Sequence, residues 1–277
     1  MKIVAVANQK GGVGKSTSCI NIASSLAKYG NKVLIIDMDP QGHSTKGLGV
    51  NIEEDSLTLA DLLCEGDRMT IIDEIKDVVR KTYVENLFIL PSNLKLALAE
   101  MKLSSMGAKE FKLRSILPNL GTFDYVFIDC PPTFTTLAIN AFTTASEIIM
   151  PVQMSYFCME GIDGFIQAIN FVNRQINPVI QHRIDIKHVL ITFYDKRTLL
   201  GKNILESIEN IFDKKILDTH IPVNIKLGEA QAQGLAISDY DESSKGGVAY
   251  QAVTDELLMR WWNTDNVKKK GKKCQKV

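Results

Sequence analysis

Six short apolar runs punctuate the chain, at residues 3–7, 33–36, 87–90, 125–128, 148–152 and 189–193. They are rich in Val and Ile and do not alternate with polar residues, which is the pattern of strands buried on both faces. Between them lie segments with apolar residues at helical spacing, at 15–29, 94–104, 134–145, 161–175 and 199–212, each long enough for a crossover. Strand and helix in alternation predict an α/β fold, with a mostly parallel central sheet flanked by helices on both faces. A last helical pattern covers 244–262 and closes on Trp261-Trp262. The remainder, 263–277, lacks the apolar residues to pack and reads as a basic, disordered tail. The expected organisation is one domain, 1–262, followed by that tail.

Composition changes this picture in two places. Hydrophobic residues make up 45% of the chain and charged residues 23%, which suits a domain with a substantial core. The formal net charge is +0, which excludes a global basic field. The tail carries six lysines against the single acid Asp265, so it holds +5 and the body before it −5. Contact with DNA or anionic lipid must therefore use a local patch or the tail. The five cysteines (Cys19, Cys64, Cys130, Cys158 and Cys274) show no metal-like spacing, so they read as reduced thiols of a cytoplasmic protein. No apolar run approaches the roughly 18 residues that span a bilayer, so no stable membrane insertion is expected.

The strongest chemical signal is Lys10-Gly11-Gly12-Val13-Gly14-Lys15-Ser16-Thr17, between the first predicted strand and the first predicted helix. In that context glycines let backbone N–H groups approach phosphate, and the helix N-terminus adds its positive end. Lys15 is the candidate for the β/γ-phosphates of ATP, Ser16 for Mg²⁺ and Thr17 for the α-phosphate. The ordinary pattern wants a glycine where this chain has Gln9, and the loop carries an extra lysine, Lys10. Asp37 and Asp39 follow the second predicted strand, and Asp129 follows the fourth. Carboxylates at the ends of parallel strands face the ligand crevice. Asp37 and Asp39 emerge on one side if the strand continues that far, and Asp129 sits where P-loop enzymes hold Mg²⁺. Cys130 has no nearby histidine to activate it and reads as a structural thiol.

The stretch from Ala7 to Thr17 resembles the deviant Walker A loop of the ParA/MinD superfamily of P-loop NTPases, and the Asp37-to-Gln41 stretch is similar to its Walker A′ motif. In detail the match, including Asn8-Gln9-Lys10 and Asp39-Pro40-Gln41-Gly42, is to the ParA/Soj partition ATPases, and it covers nearly the whole chain to about residue 260. The resemblance implies that Lys10 reaches across an ATP-bound homodimer to the partner's phosphates. It implies too that Asp39 positions the attacking water and that Asp37 supports Mg²⁺ and its loop. Lys10, Lys15 and Asp39 are thereby the catalytic candidates. Ile221-Pro222-Val223-Asn224 resembles the adenine loop, with Pro222 on the ring and Asn224 at its edge; without the resemblance it is only a turn. Relatives often carry arginine where this chain has Val223.

Tyr194-Asp195-Lys196-Arg197-Thr198 is similar to the segment that carries a DNA-binding arginine in the family, here Arg197, with Lys196 and Lys202 nearby. Read alone, Arg197 is a solvated surface charge. The family's activity is a slow ATPase, stimulated by a ParB-like centromere-binding protein and acting on nonspecific double-stranded DNA. Such a protein is cytoplasmic and nucleoid-associated. The alternative, a MinD-like membrane-associated positioning ATPase, requires an amphipathic C-terminal helix, and the tail after Trp262 has no Leu, Ile or Phe. An iron–sulfur reductase requires paired cluster cysteines, which the spacing does not offer.

Overall fold

The computed structural model describes residues 1–53, 56–65, 78–155, 158–195 and 199–274, as backbone alone at 65, 199–200, 202 and 264–274. Seven strands form one sheet: β1 (Lys2–Val6), β2 (Val33–Asp37), β3 (Arg80–Lys81), β4 (Leu87–Leu90), β5 (Tyr125–Asp129), β6 (Glu147–Gln153) and β7 (Ile186–Thr192). Their order across the sheet is β3-β4-β2-β5-β1-β6-β7. All neighbours pair in parallel except the antiparallel edge pair β3 and β4.

The reason the apolar runs do not alternate lies in the two packed layers. Ala5, Leu34, Ile36, Val126 and Ile128 belong to one apolar cluster. Their chain neighbours Val4, Val6, Val33, Ile35 and Phe127 belong to the other. Successive side chains point to opposite faces of a sheet, so each strand supplies both cores and must be apolar throughout.

The flanking helices match the crossover pattern with small changes at their ends. The first, α1 (Lys15–Lys28), follows the phosphate loop directly. The short α2 (His43–Gly47) and α3 (Leu59–Glu65) follow β2. Then come α4 (Lys95–Leu103), α5 (Lys112–Ile116) and α6 (Thr136–Thr144). Next are α7 (Cys158–Phe171) and α8 (Leu199–Phe212), then α9 (Ile225–Ala232) and α10 (Ile237–Tyr240). The last helix, α11 (Lys245–Cys274), runs past Trp262, where the sequence pattern ends it. Lysine is a good helix former and the stretch holds no proline, so the backbone can continue.

Polar anchors seat α11 at both ends of its packed part. The Ser18 and Tyr250 hydroxyls lie 3.0 Å apart, tying α11 to α1. Trp261 Nε1 donates to Glu147 Oε1 on β6. Lys2 Nζ lies 3.1 Å from the other Glu147 oxygen, and His188 Nε2 3.4 Å from Oε1. A second seam joins the loops after α2 and α9. Gly49 and Gly234 both adopt left-handed backbones, at φ 67° and 69°, and a Cβ on Gly234 would fall 2.7 Å from the Gly49 Cα. The approach requires glycine at 234, and the left-handed backbone favours it at 49.

Candidate nucleotide site

Three loops at the C-terminal ends of β1, β2 and β5 build the site. Asp37 and Asp129 are register partners at the ends of β2 and β5. Beside them the phosphate loop turns through Gly12 at φ 72° and Gly14 at φ 87°, and Gly14 caps α1 without any side-chain hydrogen bond. The first amides of α1 are therefore left for an external acceptor, with the positive end of the helix behind them. The loop is braced from β7, where Thr192 Oγ1 donates to the Val13 carbonyl at 3.0 Å.

A cleft of about 780 Å³ opens in front of this loop, lined by Gly11, Gly12, Gly14, Lys15, Ser16, Thr17 and Asp39 among others. Lys15 is buried, and its Nζ donates to the Lys10 carbonyl at 2.9 Å. Burial lowers the Lys15 pKa, opposed by the charges of Asp129, Cys130 and Asp39. Lys10 follows another course. Its side chain does not line the cleft, and its Nζ donates to Ser155 Oγ at 2.6 Å. Its amide donates to Asn8 Oδ1, while Asn8 Nδ2 donates to the Pro151 carbonyl at 2.7 Å, stapling the loop entrance to the end of β6.

The two acids of the second motif diverge. β2 ends at Asp37, so the side chains are not held on one strand face. Asp37 is fully buried; its Oδ2 accepts from the Thr45 amide at 2.9 Å and the Thr45 hydroxyl at 2.7 Å, and its Oδ1 from the Asp39 amide. Asp39 faces the cleft, with its carbonyl held by Ser92 Oγ at 2.8 Å and its Oδ1 accepting from the Gln41 amide. Burial, and then the Asp129 charge, push the Asp37 carboxyl well above its ordinary range, against the bonds from Thr45 and Asp39.

Asp129 is equally buried. Its Oδ2 accepts from Ser44 Oγ at 2.7 Å, and its Oδ1 has no hydrogen-bond partner. Burial raises its carboxyl too, opposed by the Ser16 and Ser44 hydroxyls and by Lys15. A buried carboxylate oxygen without a donor is costly, and a divalent cation beside Ser16 would satisfy it. Among the described residues no three His, Cys, Asp or Glu side chains gather into a metal cluster. That fits Mg²⁺, which takes one or two protein oxygens and completes its shell with phosphates and water. Cys130 is buried and, chiefly through burial and then the Asp129 charge, its thiol is pushed well above the ordinary range, which disfavours the thiolate form.

A second cavity of about 320 Å³ adjoins the first and is lined by Pro222, Val223, Asn224, Ile225, Leu227 and Tyr250, with Phe193 at its mouth. Asn224 is the N-cap of α9, its Oδ1 accepting from the Lys226 amide at 2.8 Å. Sequence reasoning missed Ser44, Thr45 and Ser155, which hold the side chains of Asp129, Asp37 and Lys10, and Ser92, which holds the Asp39 backbone. Of these only Ser44 and Thr45 leave a signal, as a pair of small hydroxyl residues just past Gly42-His43. Lys196 and Arg197 lie outside the described residues, and Lys202 is described only by its backbone in α8.

A parallel sheet, a glycine-rich loop running into a bare helix N-terminus, and acids at the adjoining strand ends define a P-loop nucleotide-binding protein. A family model described as an AAA domain matches residues 1–182. The chain is 35% identical over 257 residues to the sporulation initiation inhibitor protein Soj of Bacillus subtilis, covering 92% of this chain and 98% of that one. It is 36% identical over 260 residues to the chromosome-partitioning ATPase Soj of Treponema pallidum, covering 94% and 98%. Among solved structures, the Mycobacterium smegmatis protein named cobyrinic acid a,c-diamide synthase, with bound ATP analogue and magnesium, superposes with a TM-score of 0.80 at 32% identity, covering 94% of this chain and 95% of that one. The chain belongs to the ParA/Soj family of chromosome-partitioning ATPases. Among the described residues no helix is long and apolar enough to cross a membrane.

Proposed function

We propose that the chain is an ATP-driven partition switch: it dimerises on ATP, holds nonspecific double-stranded DNA in that state, and is reset by slow hydrolysis stimulated by a ParB-like centromere-binding partner. Such a protein works in the cytoplasm on the nucleoid. The observation that carries this reading is the division of labour between two lysines of one loop. Lys15 lies in the cleft, held on the Lys10 carbonyl, whereas the Lys10 ammonium lies outside the cleft on Ser155. One cation already serves the phosphates of its own subunit, so a second at the loop entrance has its use across a dimer interface. That makes the nucleotide itself part of the interface and its hydrolysis the release step.

Within the subunit, the open amides of the loop and Lys15 would bind the phosphates, and Ser16 and Asp129 would hold the metal. A magnesium ion there would neutralise phosphate charge during transfer to water. Asp39, at the cleft wall, would orient that water, while Asp37 would fix the loop through Thr45. Pro222 and Asn224 would receive the base.

Sedimentation of the protein with ATP, ADP and a slowly hydrolysed ATP analogue tests the reading. Dimers are expected with the analogue and monomers with ADP. Lys15→Ala should lose nucleotide binding, whereas Lys10→Ala should bind nucleotide but remain monomeric. A Lys10→Ala protein that dimerises and turns over like the parent removes the cross-subunit role.

A further inference from the structure

Phe193 is a bulky residue in the left-handed region, at φ 51°, immediately after β7. Side chains with a Cβ pay for that conformation, and a large aromatic residue keeps it only where its surroundings impose it. Here both neighbours are pinned. Thr192 is bonded through its hydroxyl to the phosphate loop at Val13. Tyr194 donates its amide to the Ile221 carbonyl at 2.9 Å and forms a parallel bridge with Pro222 of the base loop. Residue 193 thus sits between an anchor on the phosphate side and an anchor on the base side, and Ile221 is tied to β7 as well, its amide donating to the Ile191 carbonyl at 2.9 Å.

The ring occupies the matching position in space. Phe193 lines both cavities, as do only Gly14, Thr17 and Gln231, so these four residues form the neck between the phosphate cleft and the base pocket. Phe193 Cε2 lies 4.0 Å from where a Gly14 Cβ would stand. Phe193 is 41% exposed, an apolar face that the described residues do not cover completely. A molecule with phosphates at Gly14 and a base at Pro222 has its sugar at this neck.

We infer that Phe193 is a positioning residue whose ring bears the sugar of a bound nucleotide, its left-handed backbone placing the ring at the neck between the phosphate and base subsites. This rests on the nucleotide reading of the cleft. The side chain contributes nothing to phosphate binding alone or to base binding alone; it acts when one ligand spans both. The strain is a cost to the empty protein that bound nucleotide offsets.

Calorimetric titration of Phe193→Asn and Phe193→Tyr with magnesium and either ATP or inorganic pyrophosphate tests this, alongside thermal melts without ligand. Asparagine tolerates the left-handed backbone but has no ring; tyrosine keeps the ring. Phe193→Asn is expected to lose roughly tenfold in ATP affinity, the scale of an aromatic packing contact. It should keep pyrophosphate affinity and show an unlowered melting midpoint without ligand. Phe193→Tyr should stay within about twofold of the parent for ATP. Parent-like ATP affinity in Phe193→Asn overturns the inference. So does an equal loss of pyrophosphate binding, or a fall in the ligand-free midpoint, either of which makes the ring merely structural. If the parent binds pyrophosphate but not ATP, the nucleotide reading falls first and this inference with it.

Discussion

Ser44 Oγ donates to Asp129 Oδ2 at 2.7 Å and leaves Asp129 Oδ1, buried beside it, without a partner. The bond links α2, which follows the second motif, to the end of β5, so it orients a carboxylate near which the Ser16 hydroxyl and Lys15 also lie. Supporting groups of this kind usually matter to metal affinity as much as the ligands do.

Asp129→Asn is therefore expected to remove the stabilisation that magnesium and ATP give in a thermal melt. Without ligand the variant should melt no lower than the parent. Replacing the carboxylate by a neutral amide removes a buried charge that stands against Asp37 and leaves an oxygen to accept from Ser44. Ser44→Ala should weaken magnesium-dependent ATP binding about tenfold through the loss of orientation. An unchanged ligand-induced shift in both variants would rule out Asp129 as the metal-side carboxylate.

Asp39→Ala is expected to abolish most hydrolysis while keeping nucleotide affinity, because Asp39 lines the cleft but the loop's own bonds run largely through its backbone, held by Ser92. The variant should accumulate as an ATP-bound dimer on gel filtration. Hydrolysis at the parental rate would show that another group positions the water.

DNA binding should require ATP, show no sequence preference and weaken steeply with salt, because a body of net charge −5 must hold phosphates through a local patch. Two subunits would double that patch on one duplex. Arg197→Ala should weaken binding and leave ATP-dependent dimerisation intact. Anisotropy titrations of protein ending at Trp262, with ATP and with ADP, separate the body from the lysines. Binding that survives truncation and still needs ATP assigns the contact to the body; binding lost on truncation and indifferent to nucleotide in the intact chain assigns it to the tail.

Glu147 supplies a pH signature at the opposite end of the sheet. Burial alone would raise its pKa, but the His188 hydrogen bond and the charges of Lys2 and His188 outweigh that and bring it down to about 2. A depressed carboxyl contributes stability above its unfolded pKa and loses it as pH falls through the folded value. The window is from the ordinary 4.5 down to about 2, and the contribution is at most about 3 kcal/mol. The parent should lose stability across that window in denaturant titrations, and Glu147→Gln should show a flatter profile there, with a lower plateau at neutral pH. Parallel profiles would mean that Glu147 is not the titrating anchor of α11.

The central strands were legible because burial on both faces leaves uninterrupted Val and Ile, and the phosphate loop because its glycines and lysines have few other uses. β3 was not legible: Arg80 and Lys81 make an edge strand of two residues and carry no apolar signal. α2 was missed because its five residues, His43–Gly47, are too few to show a period. The divergence of Asp37 from Asp39 was hidden for a related reason. Spacing by two implies one face only while a strand lasts, and β2 ends at Asp37. Lys10 was visible as an unusual residue, but its hold on Ser155 joins positions 145 apart in the chain, a contact that no local pattern encodes.

The meeting of Gly49 with Gly234 has a mechanical reading. Gly49 closes the loop that follows α2, whose Ser44 and Thr45 grip Asp129 and Asp37, and Gly234 closes the loop after α9, whose cap Asn224 borders the base pocket. Backbone against backbone leaves no side chain to yield between them, so the loop beside the phosphates and the loop beside the base share one tight contact. An alanine at 234 would bring its Cβ to 2.7 Å from the Gly49 Cα and force the two loops apart, whereas one at 49 would stand 3.3 Å from the Gly234 carbonyl oxygen and mainly strain its own left-handed backbone.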